Sequence, residues 1–69
     1  MEDTIQLSNR EREVLNDLYC GLTREEIAEA RYLSLPTVKK IFESIYLKLD
    51  ANNVADAIRV GIKNKLIDE

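Results

Sequence analysis

The chain has 69 residues, 45% of them hydrophobic and 33% charged, with a formal net charge of −3. A chain this short makes one domain, here taken as 1–69, and buries only about 60% of the surface that its unfolded state exposes, so its elements must be short and well capped. Two Gly and one Pro argue against a disordered linker, apolar runs of only a few residues exclude a membrane span, and the first residues hold no signal-peptide core.

Caps and periodicity predict four helices, at about 8–20, 23–31, 35–49 and 53–64, and hence an all-α fold. The first opens at Ser8, where Ser8-x-x-Glu11 fits a capping box, a hydroxyl to one backbone N–H and a carboxylate back to the cap. Val14, Leu15 and Leu18 form its apolar stripe, with Tyr19 at the edge, and Gly21 ends it. Thr23-x-x-Glu26 is a second capping box and starts a shorter helix, with Leu22 and Ile27 inward and Ala28 small enough for a close helix crossing.

Ser34 caps the third helix, whose first turn tolerates Pro36 because first-turn N–H groups lack intrahelical partners. At about 100° per residue, Val38, Phe42, Ile45 and Leu49 share one face, while Lys39, Lys40, Glu43, Ser44 and Leu47 lie opposite. A core face backed by a polar, partly basic face suits a groove-reading helix, and equally any solvated amphipathic helix. Asp50-Ala51-Asn52-Asn53 is turn chemistry, and Asn53 with Asp56 caps the fourth helix, with Val54, Ile58 and Ile62 inward. Leu66 and Ile67 fold back to close the core.

Ala57 and Gly61, with Val60 and Asn64 adjoining, form a shallow strip on the fourth helix. Glycine inside a helix costs about 1 kcal/mol relative to alanine and asks for a reason; such a strip lets a second helix approach closely. A homodimer contact is the favoured reading, and packing against the chain's own first helix is the alternative.

Catalysis finds no footing. The chain has no His, the commonest general base and metal ligand, and no glycine-rich phosphate loop. No residue spacing suggests a metal site or a cofactor. The lone Cys20 has no imidazole to activate it and is expected to be a small packing residue near a helix end; unpaired, it fits a reducing cytoplasm. The charge is uneven: residues 1–30 carry three basic and eight acidic side chains, residues 31–69 seven and five. Phosphate binding needs a basic surface, so a DNA-facing surface belongs to the second half.

In order, these pieces resemble the LuxR/FixJ-type (GerE-like) helix-turn-helix domain over roughly residues 6–67. Leu7-Ser8-Asn9-Arg10-Glu11-Arg12-Glu13-Val14-Leu15 is similar to the family's L-[ST]-x-R-E-x-E-V-L, and Gly21-Leu22-Thr23-Arg24-Glu25-Glu26-Ile27-Ala28 to its G-L-[ST]-x-x-E-I-A. Leu33-Ser34-x-x-Thr37-Val38-Lys39 resembles L-S-x-x-T-V-K, and Lys48-Leu49 and Leu66-Ile67 follow. Each fragment alone is weak; their order and spacing make the signal.

The resemblance implies a winged-helix-like fold without a wing, acting in bacterial transcription regulation and binding double-stranded DNA with no cofactor. The second and third helices would form the helix-turn-helix, the third in the major groove. Its DNA-binding positions would be Thr37, Val38, Lys39, Lys40, Glu43 and Ser44, with Thr23 and Arg24 at the second helix's N-terminus suited to a phosphate. Thr23 also has capping to do, the Thr37 hydroxyl can bond its own first turn, and Glu43 is either a solvated side chain or an acceptor for a cytosine amino group. A homodimer through the fourth helix is implied, and a related regulator or RNA polymerase would be further partners.

The chain departs from the pattern at several points. Glu25 stands where Lys is usual, Ile41 where His is frequent, Glu43 where a DNA-contacting residue often sits, Arg31 at a customary buried Leu, and Val54 at a common Arg. Arg31 must pack its stem while the guanidinium reaches outward. The acidic departures sustain a second reading, an interaction module that pairs with a related regulator without itself binding DNA.

Overall fold

The computed structural model describes residues 5–67, which form four helices, α1 (Asn9–Tyr19), α2 (Arg24–Arg31), α3 (Leu35–Leu49) and α4 (Val54–Lys63). The expected spans exceed these at several ends by the cap residues. Ser8, Thr23, Ser34 and Asn53 each keep extended backbone while the side-chain oxygen accepts the N–H three residues on. Both expected capping boxes are present, with Glu11 and Glu26 returning to the cap amides at 2.8 Å.

All four helices end alike. Gly21, Tyr32, Asp50 and Lys65 take positive φ, and the next residue's N–H reaches back to a carbonyl five positions earlier: Leu22 to Asp17, Leu33 to Ala28, Ala51 to Tyr46 and Leu66 to Gly61. This is the Schellman closure, whose trailing residue packs on the helix it terminates. Leu22, Leu33, Ala51 and Leu66 accordingly rest against the core. Cys20 caps α1 and is exposed, so it does not pack as expected.

α3 packs against α1, α2 and α4, and α4 also lies on α1. The core is Val14, Leu15 and Leu18 from α1, Ile27 and Ala28 from α2, the stripe Val38, Phe42, Ile45 and Leu49 from α3, then Ala57 and the returning Ile67.

The fourth helix is rotated from expectation. Ala57 and Gly61 are buried, whereas Val54 and Ile62 stay 37% and 38% exposed; Ile58, half-buried, still packs against the core. A Cβ on Gly61 would stand 2.8 Å from Ile67 Cδ1 and 3.0 Å from Leu15 Cδ2. The small strip therefore admits the chain's own α1 and C-terminal return, and Ala57 and Gly61 are corrected from partner contacts to core. Val60 packs half-buried against the core, and the Asn64 amide turns back to the Val60 carbonyl at 2.8 Å. Asn64 stays exposed.

Two ion-pair clusters tie α1 to the rest. Glu11, buried, accepts hydrogen bonds from Lys48 Nζ at 2.8 Å and from the Ser44 hydroxyl. Burial alone raises its pKa, but the bonds from Lys48, Ser44 and the Ser8 amide, with the Lys48 charge, outweigh it and lower the value from 4.5 to about 2. Arg31 stands between α2 and α1, paired with Asp17 and, at 3.7 Å, with Glu13.

Candidate nucleic-acid interface

The capping box at the start of α2 uses the Thr23 amide as a donor and the Thr23 hydroxyl oxygen as an acceptor, so exposed Thr23 keeps only its hydroxyl proton to donate. What remains there for an anion is that proton, the Arg24 side chain and the first-turn N–H groups that the cap leaves open. At the start of α3, Ser34 Oγ accepts from the Thr37 amide and shares a 2.8 Å hydrogen bond with the Thr37 hydroxyl. The Thr37 hydroxyl is thus engaged with the cap residue of its own first turn, and Thr37 stays exposed.

The exposed face of α3 carries Leu35, Pro36, Lys39, Lys40, Glu43 and Leu47. Arg24, Lys39 and Glu43 line one depression of about 390 Å³, floored by Phe42, Tyr46 and Val54. Burial raises the Tyr46 phenol pKa, and the charge of Arg24, which lines the same depression, opposes it. A second depression, of about 430 Å³, is lined by Arg24, Glu25, Leu35, Pro36 and Lys39.

Among the described residues, Arg24, Lys39, Lys40 and Glu43 take part in no ion pair, nor do Arg12, Lys63 and Lys65 elsewhere, whereas Arg10, Arg31, Lys48 and Arg59 all do. The distinction matters in a chain of net charge −3. Cations committed to internal carboxylates give up little to a phosphate; unpaired ones on one face can exchange their counterions for it.

Two expected contacts are corrected. Val38 has no exposed surface and lies in the core, because its phase on α3 matches Phe42 and Ile45. Ser44 turns toward α1 and donates to Glu11. The polar face of the sequence is therefore two faces, one folded against α1 through Ser44 and Lys48, the other free. Leu35 and Pro36 were not expected to belong to the free face. Their signal was only that both precede the apolar stripe that begins at Val38.

No helix among the described residues is long and apolar enough to cross a membrane. The family model for bacterial regulatory proteins, luxR family, matches residues 5–61. The probable transcriptional regulatory protein NarL of Mycobacterium tuberculosis (strain CDC 1551 / Oshkosh) is 39% identical over 62 residues, 90% of this chain and 29% of that protein. The transcriptional activator protein EsaR of Pantoea stewartii subsp. stewartii is 38% identical over 65 residues, 94% of this chain and 26% of its own length. Among solved structures, the response regulator ChrA of a heme-sensing two-component system superposes with a TM-score of 0.88 at 35% identity, covering 96% of this chain and 33% of that one. The chain thus spans less than a third of the length of the curated relatives it matches.

Proposed function

The chain belongs to the luxR family of bacterial regulatory proteins, and on that premise we propose that it binds double-stranded DNA sequence-specifically and regulates transcription in the cytoplasm. What supports this most is the pairing of Arg24 and Lys39, both free of ion pairs among the described residues, across one depression between the N-terminal ends of α2 and α3. That is where a helix-turn-helix meets the duplex: the second helix enters the major groove and the first crosses the backbone.

Arg24 then neutralises phosphate at the α2 N-terminus, helped by the partial positive charge of the helix end. Lys39 and Lys40 reach phosphates or guanine O6 and N7, and Glu43 accepts from a cytosine N4 amino group. Glu25 and Glu43 oppose phosphate contact, so affinity depends more on base contacts than it would in a basic domain. Two copies pair through the stripe Val54, Ile58 and Ile62, which α4 leaves partly exposed at the i, i+4, i+8 spacing of one helix face.

A salt titration of duplex binding tests the reading. Each lysine that only neutralises phosphate lowers the slope of log affinity on log salt by about 1 when changed to alanine. Lys39→Ala and Lys40→Ala are expected to weaken binding while leaving the thermal midpoint in place. Glu43→Gln is expected to blunt a C·G preference recovered from randomised duplexes. If the parent binds no duplex even at about 50 mM salt and Glu43→Lys creates binding, the chain is the interaction module instead.

A further inference from the structure

We propose that Leu35 and Pro36 form an apolar contact for the C5-methyl group of thymine and so select a T·A pair in each half-site, next to the base pair that Lys39 reaches. The proposal rests on the DNA-binding reading and adds a specificity determinant to it.

Leu35 is 47% exposed at the first position of α3, and Pro36 is exposed beside it. The fold does not require a leucine here, because the α3 contribution to the core is complete from Val38 to Leu49. The two side chains lie in the depression whose other walls are Arg24, Glu25 and Lys39. Neither Leu35 nor Pro36 carries a side-chain donor or acceptor, and Pro36 lacks even a backbone N–H. Against the amino or carbonyl edge of another base they would leave a desolvated polar group unpaired. The thymine methyl is the one apolar group that the major groove presents, and it needs no partner.

The charges around the depression fix its orientation on the duplex. Arg24 and Lys39 flank the apolar patch as two cations, which suits a base pair bordered by phosphates. Glu25 on the same rim disfavours a phosphate seated in the depression itself. Lys39 follows Leu35 by four residues, about 6 Å along the helix axis. At about 3.4 Å per base step the two positions fall on pairs no more than two apart.

Replacing thymine by uracil removes the methyl and keeps every hydrogen-bonding group, so the contact is testable without altering the protein. A site is first selected from randomised duplexes, and each thymine in one half-site is then replaced singly by deoxyuridine. Binding by the parent is expected to fall about fourfold at one position, the worth of burying one methyl group, and at no other. Leu35→Ala is expected to bind the thymine and uracil duplexes equally, with Lys39→Ala retaining the discrimination. If the parent binds its selected site yet every uracil duplex equals its thymine counterpart, the thymine contact is wrong while DNA binding stands. If no duplex is bound at low salt, the underlying DNA-binding reading fails and the thymine contact with it.

Discussion

Arg31 donates from Nε and Nη2 to the two oxygens of Asp17, each at 2.9 Å, and so forks the last turn of α2 onto α1. Charge-assisted bidentate pairs are the strong class of hydrogen bond, and Asp17 is well shielded from water. Asp17 raises the Arg31 pKa against the opposing effect of burial.

Removing Asp17 leaves Arg31 only its longer pair with Glu13, and removing Arg31 leaves the shielded Asp17 carboxylate without its partner. Asp17→Asn is expected to cost about 1–2 kcal/mol, and Arg31→Leu a similar amount, because it strands the carboxylate. The double variant Asp17→Asn, Arg31→Leu should be no less stable than the worse single one. Urea unfolding of the four proteins gives the coupling directly; additive losses would mean that the fork contributes nothing as a pair.

The Glu11 carboxyl is held at about 2 against an ordinary 4.5. A depressed carboxylate contributes stability that is complete above its unfolded pKa and lost as the pH falls through the folded value. The contribution, on the order of 3 kcal/mol at neutral pH, should therefore disappear between about pH 4.5 and pH 2. Glu11→Gln is expected to be less stable than the parent at pH 7 and to converge with it over that window. Thermal midpoints measured across the range test this; parallel profiles would exclude Glu11 as the source.

Gly61 separates two substitutions. In Gly61→Ala the new methyl meets the ends of the Ile67 and Leu15 side chains, which can shift, while the helix gains up to about 1 kcal/mol of propensity. Stability should change little. Gly61→Leu has no such room and should abolish cooperative unfolding rather than only weaken association. Circular dichroism melts distinguish the two, and a well-folded Gly61→Leu would contradict the packing of α4 on α1.

Tyr32 is 95% exposed and holds φ at 58° to close α2. Its side chain therefore contributes no packing, while its Cβ opposes the left-handed backbone. Tyr32→Gly is expected to raise stability by about 0.5–1 kcal/mol, read as a higher denaturation midpoint. A loss would show that the phenol ring makes a contact worth more than the strain.

Association through α4 should depend on Val54, Ile58 and Ile62. Ile62→Lys places a charge on a position already 38% exposed, so the fold should survive while self-association is lost. Light scattering alongside thermal melts gives both readings. A variant that dimerises like the parent would move the contact elsewhere.

Local chemistry was legible in the sequence because its signals are short-range. The boxes at Ser8 and Thr23, the Asn53 cap and the stripe from Val38 to Leu49 each depend on residues within a turn or two of one another. The family motifs, read in order, then carried the fold and the class of function. The C-terminal closures were legible only at Gly21, since Tyr32, Asp50 and Lys65 take the same left-handed backbone without the residue type that announces it.

What the tertiary structure decided concerns which face of a helix meets which neighbour. In α4 the bulky Val54, Ile58 and Ile62 were expected inward, by the rule that large apolar side chains seek the core. The distance between α1 and α4 overturned this for Val54 and Ile62, while Ile58 still packs at the core's edge: with Leu15 and Ile67 already filling the space, only Ala57 and Gly61 fit at its centre. In α3 the polar face split because Glu11, 33 residues before Ser44 and 37 before Lys48, claims both. Arg31 found Asp17 in the same way, 14 residues back. Periodicity assigns a side chain to a direction around its own helix axis, but how close the next helix stands, and what charge it brings, is set by the packing of the whole chain.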